Sequence, residues 1–184
     1  MDTFFEQIVK KNKGAKEWAI ILGAVLGGMV LAVGAYFLVN AFFILALAGI
    51  IYGVWWLITN QNIEYEYCVT NGDIDVDQIT ARRKRRRLVS VPGRKIETLQ
   101  PFTKDTAVGK YQRYVMVAPS LQAEGLWYFT YNSKKNGHTF VVFQPDERVL
   151  RAFYRGLPKL VQLDTERAAK ELEFDIKANP TNED

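Results

Sequence analysis

Between Trp18 and Ile58 the chain runs for 41 residues without a charged side chain. As one straight helix this block would be about 60 Å long, roughly twice the ~30 Å hydrocarbon thickness of a bilayer. Two helices of one bilayer each fit instead. Asn40 is the one strongly polar interruption, and asparagine tolerates turn conformations that most residues avoid. The expected arrangement is a transmembrane hairpin over 17–59, with spans 18–39 and 41–58 and a turn near Asn40. Tyr36, Phe37, Phe42 and Phe43 flank that turn, while Trp18, Trp55 and Trp56 mark the opposite ends. Aromatic belts occupy such positions at membrane interfaces. The apolar run is too long for a cleaved leader, and no small-residue cleavage site leads from it into polar chain.

Orientation follows from charge. Lys10, Lys11, Lys13 and Lys16 lie in the basic N-terminal segment 1–16, and an Arg-rich run follows the second span, whereas the turn carries no base. The positive-inside rule then predicts a two-span cell-membrane protein with both termini cytoplasmic. One cysteine, Cys68, excludes an intramolecular disulfide and fits a reducing compartment. No acid, base or histidine falls inside the apolar block, so charged-ion and proton pathways have no support.

Both spans carry glycines at small-xxx-small spacing, Gly23 with Gly27 and Gly49 with Gly53. Such pairs let helix backbones approach where lipid offers no hydrophobic drive for association. The expectation is that they pack one span on the other. Gly34 falls near the Gly23–Gly27 face, and Gly28 sits about 100° round from Gly27. That wider arc offers Gly28 to a second copy and leaves Gly49 to packing within the hairpin.

After the membrane block the apolar period changes to two. Ile63, Tyr65, Tyr67 and Val69 share one strand face, with Glu64, Glu66 and Cys68 on the other. Asn71-Gly72 is a strong hairpin signal, and Asp73–Asp77 then alternates with Ile74 and Val76 inward. Further strands are expected over 82–91, 94–99, 111–118, 126–131 and 139–143, the last two joined by a turn at 133–138. Pro145-Asp146-Glu147 opens a short amphipathic helix that Gly156-Leu-Pro158 closes. Residues 61–160 thus read as about seven strands, joined by antiparallel hairpins, and one helix. Residues 161–184 read as an acidic tail, partly helical around Glu166–Phe174 and disordered over Asn179–Asp184.

The two spans, the stretch Tyr65-Glu-Tyr-Cys-Val-Thr-Asn-Gly-Asp-Ile-Asp-Val-Asp77, the basic run and Phe143-Gln-Pro-Asp-Glu-Arg-Val-Leu150 together resemble bacterial PH-like (pleckstrin-homology-like) membrane proteins with two N-terminal spans. The resemblance covers roughly residues 17–160. It implies an α+β membrane protein: a transmembrane helical hairpin followed by a mainly antiparallel β PH-like domain capped by a C-terminal helix. Phosphoinositide-binding PH domains place spaced Lys and Arg around the first hairpin, a pattern that Asn71-Gly-Asp73 does not carry.

The most unusual segment is basic. Arg82, Arg83, Lys84, Arg85, Arg86, Arg87, Arg94 and Lys95 give eight bases and no acid in 82–95. Such a run suits anionic headgroups, at about 1 kcal/mol per base near a membrane surface, or a protein partner. Internal pairing competes, because Glu64, Glu66, Asp75 and Asp77 form an acidic face on neighbouring strands. An alternating strand would send three of the six bases of 82–87 each way. No aromatic is interleaved, which disfavours nucleic acid.

Catalytic signals are missing. Asp73-x-Asp-x-Asp77 spreads its carboxylates about 7 Å apart along a strand and lacks the Gly and Glu of a calcium loop. His138, the one histidine, is expected in a hairpin turn without a zinc or triad partner. No cofactor or metal site is expected. The resulting expectation is a membrane-anchored non-enzymatic binding or scaffold module at the cytoplasmic face, with the bilayer and its anionic headgroups as partners, or as a homo-oligomer. The alternative is an accessory or regulatory subunit of a larger membrane assembly.

Overall fold

In the computed structural model, residues 3–38, 40–103, 106, 109–171 and 176 are described. The expected disorder of Asn179–Asp184 lies outside these residues. The chain divides into two units: Met1–Lys11, Glu64–Ile79 and Arg85–Asp184 form one, and Asn12–Ile63 with Thr80–Lys84 the other.

The second unit is the apolar hairpin. Helix α1 (Ala15–Leu38) and helix α2 (Phe43–Asn60) are joined through a 3-10 turn at Asn40–Phe42. Both are long and apolar enough to cross a membrane. Neither contains a buried residue. Leu38 and Ile44 are 86% and 83% exposed, so both helices present apolar side chains outward.

The larger unit holds two four-stranded sheets. The first has the order β1-β2-β3-β4, with β1 Phe4–Lys10, β2 Ile63–Thr70, β3 Asp73–Thr80 and β4 Lys84–Val91. The second has the order β5-β7-β8-β6, with β5 Ile96–Pro101, β6 Arg113–Met116, β7 Trp127–Ser133 and β8 Gly137–Phe143. Helices α3 (Glu147–Arg155) and α4 (Lys159–Glu171) follow. The expected architecture of hairpin, antiparallel sheets and C-terminal helix is present, with three differences. Segment 1–16 contains a strand, because Phe4–Lys10 pairs antiparallel with β2 from Phe4↔Thr70 to Lys10↔Glu64. Strand β6 pairs parallel to β8, so the sheet is not built of antiparallel hairpins throughout. The tail's helix starts at Lys159, well before Glu166, because Val161, Thr165 and Ala169 are buried, and Thr165 Oγ1 donates to Leu99 O of β5 at 2.9 Å.

Four aromatics close the core. Tyr67 of β2 lies edge-on to Phe143 of β8 at 5.8 Å, and Phe129 of β7 lies 5.2 Å from Phe143 and 5.4 Å from Phe153 of α3. The Tyr67 hydroxyl donates to Val117 O and accepts from Gln144 N. Strand β1 is tied to the start of α3, since Gln7 Oε1 accepts from Asp146 N at 2.7 Å and Gln7 Nε2 donates to Gln144 O at 3.1 Å. Asp146 in turn caps α3, accepting from Val149 N at 2.7 Å. Strand β8 is buried on both faces, because Phe140 and Val142 enter a second cluster with Ala118 and Leu126.

Glycine is required at one junction. Asn71 and Gly72 both have positive φ, 52° and 85°, as a two-residue turn between twisted strands demands. A Cβ on Gly72 would overlap the backbone of Gly156 at the end of α3, and one on Gly93 would overlap Gly72 O. Three backbone segments meet there without side chains between them.

Candidate functional site

The basic run is divided by the fold. Arg82 and Arg83 lie in the β3–β4 turn and only Lys84–Arg87 lie on the strand, so the expected three-and-three alternation does not arise. Arg85 Nη2 is 2.6 Å from Glu66 Oε2 and Nη1 is 3.9 Å from Asp77. Arg87 Nε donates to Asp77 Oδ1 at 2.7 Å and Nη1 to Asp75 Oδ2 at 2.8 Å. One strand period apart, Arg85 and Arg87 therefore share Asp77. Lys84 and Arg86 occupy the alternate positions, are exposed, and have no carboxylate partner among the described residues. Arg94 and Lys95 follow the opposite end of β4, in a 3-10 turn at Gly93–Lys95, apart from the tip.

The carboxylates respond to this pairing. The Arg87 hydrogen bond holds the Asp77 carboxyl below its ordinary value, against the opposing effect of burial. Glu66 goes the other way: burial and the neighbouring Glu6 raise it, and Arg85 only partly compensates. Glu66 Oε2 has the Arg85 charge beside it but no hydrogen bond in proper alignment. Cys68 is half buried, and burial with the surrounding carboxylates pushes its thiol pKa up. His138 belongs to β8 rather than to a turn, opposite Asn132, with Nδ1 3.4 Å from Glu97 Oε2.

The tip of the β3–β4 hairpin is fastened to the end of α2. Ala81 and Arg82 have φ of 54° and 55°, which costs an ordinary side chain roughly 1–2 kcal/mol per residue. The strained turn is held because Ala81 N donates to Asn62 O at 2.8 Å and Arg83 N to Thr80 O at 3.0 Å. Arg83 then lies with Cζ 5.8 Å over the ring of Trp55, a cation–π contact. This stack was not legible in the sequence, since 28 residues separate its members.

Among the glycines, Gly28 is the one that meets the other helix. A Cβ there would come 2.7 Å from Val54 Cγ2 and 3.6 Å from Ile50 Cγ2. At Gly23, Gly27, Gly34, Gly49 and Gly53 a Cβ would meet nothing within 4 Å. The hairpin seam therefore runs along Gly28, not along the Gly23–Gly27 and Gly49–Gly53 pairs. The 100° between Gly27 and Gly28 reverses the expected assignment.

A two-helix apolar hairpin joined to paired sheets and closing helices defines an anchored PH-like domain. The family described as bacterial PH-like domain (DUF6106) matches residues 1–163, and the chain belongs to that family. The match takes in β1, beyond the 17–160 that the sequence resemblance covered. No curated protein and no solved structure matches the chain.

Proposed function

We propose that the chain is a membrane-anchored, non-enzymatic binding module whose basic hairpin engages anionic headgroups at the cytoplasmic face. The two apolar helices span the bilayer, and both termini are cytoplasmic. The observation that carries this reading is Arg83 stacked on Trp55 at the end of α2. A tryptophan at the end of an apolar helix marks the headgroup level, so the tip that rests on it lies at that level. Lys84 and Arg86 are exposed and supply charge that no carboxylate among the described residues takes up.

The test uses full-length protein in vesicles, comparing association of spin-labelled phosphatidylglycerol with spin-labelled phosphatidylcholine. Phosphatidylglycerol is preferred at low salt, and the preference falls as salt rises. Lys84→Gln with Arg86→Gln lowers it, each charge counting for roughly fivefold. Equal association of both lipids at low salt refutes the reading. Orientation is tested by reporters inserted at Asn40 and fused after Asp184, which should report opposite sides.

A second reading, an accessory or regulatory subunit of a larger membrane assembly, is favoured by the uncovered backbones of Gly23, Gly27, Gly49 and Gly53. Purification in mild detergent separates the two: a stoichiometric second polypeptide supports the subunit.

A further inference from the structure

We propose that the groove between α1 and α2 holds one acyl chain of an anionic phospholipid, whose phosphate is bound by Arg83 and Lys84. The inference rests on the reading of the hairpin tip as headgroup-facing. The groove has a volume of about 380 Å³ and is lined by Val25, Met29 and Ala32 of α1 and by Leu47, Ile51 and Ile58 of α2, with Trp55 near its end. That volume is within the roughly 300–1,000 Å³ of small-ligand sites.

Length and charge name the occupant. From Leu47 to Ile58 the groove follows α2 for about 16 Å at 1.5 Å per residue, close to half of a ~30 Å hydrocarbon layer. It therefore has the depth of one leaflet, which suits a single acyl chain. Trp55 lines the groove and also carries Arg83 on its ring. The apolar slot thus ends beside an exposed guanidinium, with exposed Lys84 next in the chain. An apolar chain ending in an anion complements both features, which a neutral lipid or an apolar helix does not. Such a lipid joins the hairpin turn to the anchor, and the domain gains an occupant that exchanges more slowly than the surrounding bilayer.

The test uses full-length wild-type protein in mixed vesicles with phosphatidylglycerol carrying a mid-chain diazirine. Crosslinks should fall on Val25, Met29, Leu47 and Ile51, which line the groove, in preference to Leu22, Leu26 and Leu45, which do not. The same probe on phosphatidylcholine should label the groove less. Arg83→Gln should lower groove labelling roughly fivefold. Ala32→Phe, which fills the groove, should abolish it while the spin-label preference for phosphatidylglycerol persists. Even labelling of groove and non-groove residues, or equal labelling by the two lipids, overturns the proposal. If spin-labelled phosphatidylglycerol is still preferred in that case, the headgroup reading stands and only the groove site falls. If it is not, both fall. The wild-type label distribution decides the matter even where Ala32→Phe fails to assemble.

Discussion

Arg87 grips Asp77 with two nitrogens, Nε 2.7 Å from Oδ1 and Nη2 3.2 Å from Oδ2. Asp77 is 6% exposed, so this fork satisfies a carboxylate that water scarcely reaches. Half of an Arg-rich strand is thereby committed to the protein itself, and what remains for a partner is the alternate half.

Asp77→Asn should lower stability at pH 7 by about 1–2 kcal/mol, toward the low end for charge-assisted bonds because Arg87 is half exposed. Asp77 is held below its ordinary 3.8, so its contribution is present above that value and is lost as pH falls through the folded-state pKa. Melting of full-length protein in detergent should show the two proteins converging only in strong acid.

Glu66 carries the opposite sign. Its folded-state pKa lies above the ordinary 4.5, so its contribution is complete below about that pH and is lost as pH rises through the raised value. Glu66→Gln should flatten that loss, narrowing the stability difference between pH 4.5 and pH 7 in the same melts. An unchanged difference would show that Glu66 is ionised without cost.

Gly28→Ile should disrupt the helical hairpin, since any side chain there meets Val54 and overpacking costs about 1–3 kcal/mol. Gly27→Ile, one residue away and facing open space, should leave yield and helix content near wild type. Equal losses from both would place the seam elsewhere.

Gly72→Ala combines a φ of 85° with overlap on Gly156, whereas Gly125→Ala meets a φ of 69° in open surroundings. Gly125→Ala should cost about 1–2 kcal/mol from backbone conformation alone, and Gly72→Ala clearly more. Denaturant titration in detergent gives both values, and their difference measures the close approach of the turn to α3.

Much of this protein is written locally. The charge-free block, its break at Asn40, the period of two from Ile63 to Thr70 and the capped helix after Pro145 depend on neighbours along the chain. Strand β2 accordingly begins and ends where the alternation does. The acidic and basic strand faces were legible for the same reason. Strand β1 was harder to see, because the lysines following it dominate segment 1–16, although Phe5, Gln7 and Val9 alternate inward with exposed Phe4, Glu6, Ile8 and Lys10.

Tertiary structure decided the rest. Which carboxylate each arginine takes depends on how β2, β3 and β4 lie beside one another, and long-range pairing sets that. The parallel union of β6 with β8 joins residues 26 apart in sequence, and no local period encodes the direction of a partner. Strand β8 reads as a continuous apolar run because both of its faces are covered, which only the second cluster behind it explains. In the apolar hairpin, composition supplied two helices with glycines on several faces, but the rotation of one helix against the other chose Gly28. That rotation is set by side-chain packing along the whole seam, and a single residue step of 100° separates a glycine packed against the other helix from an open one.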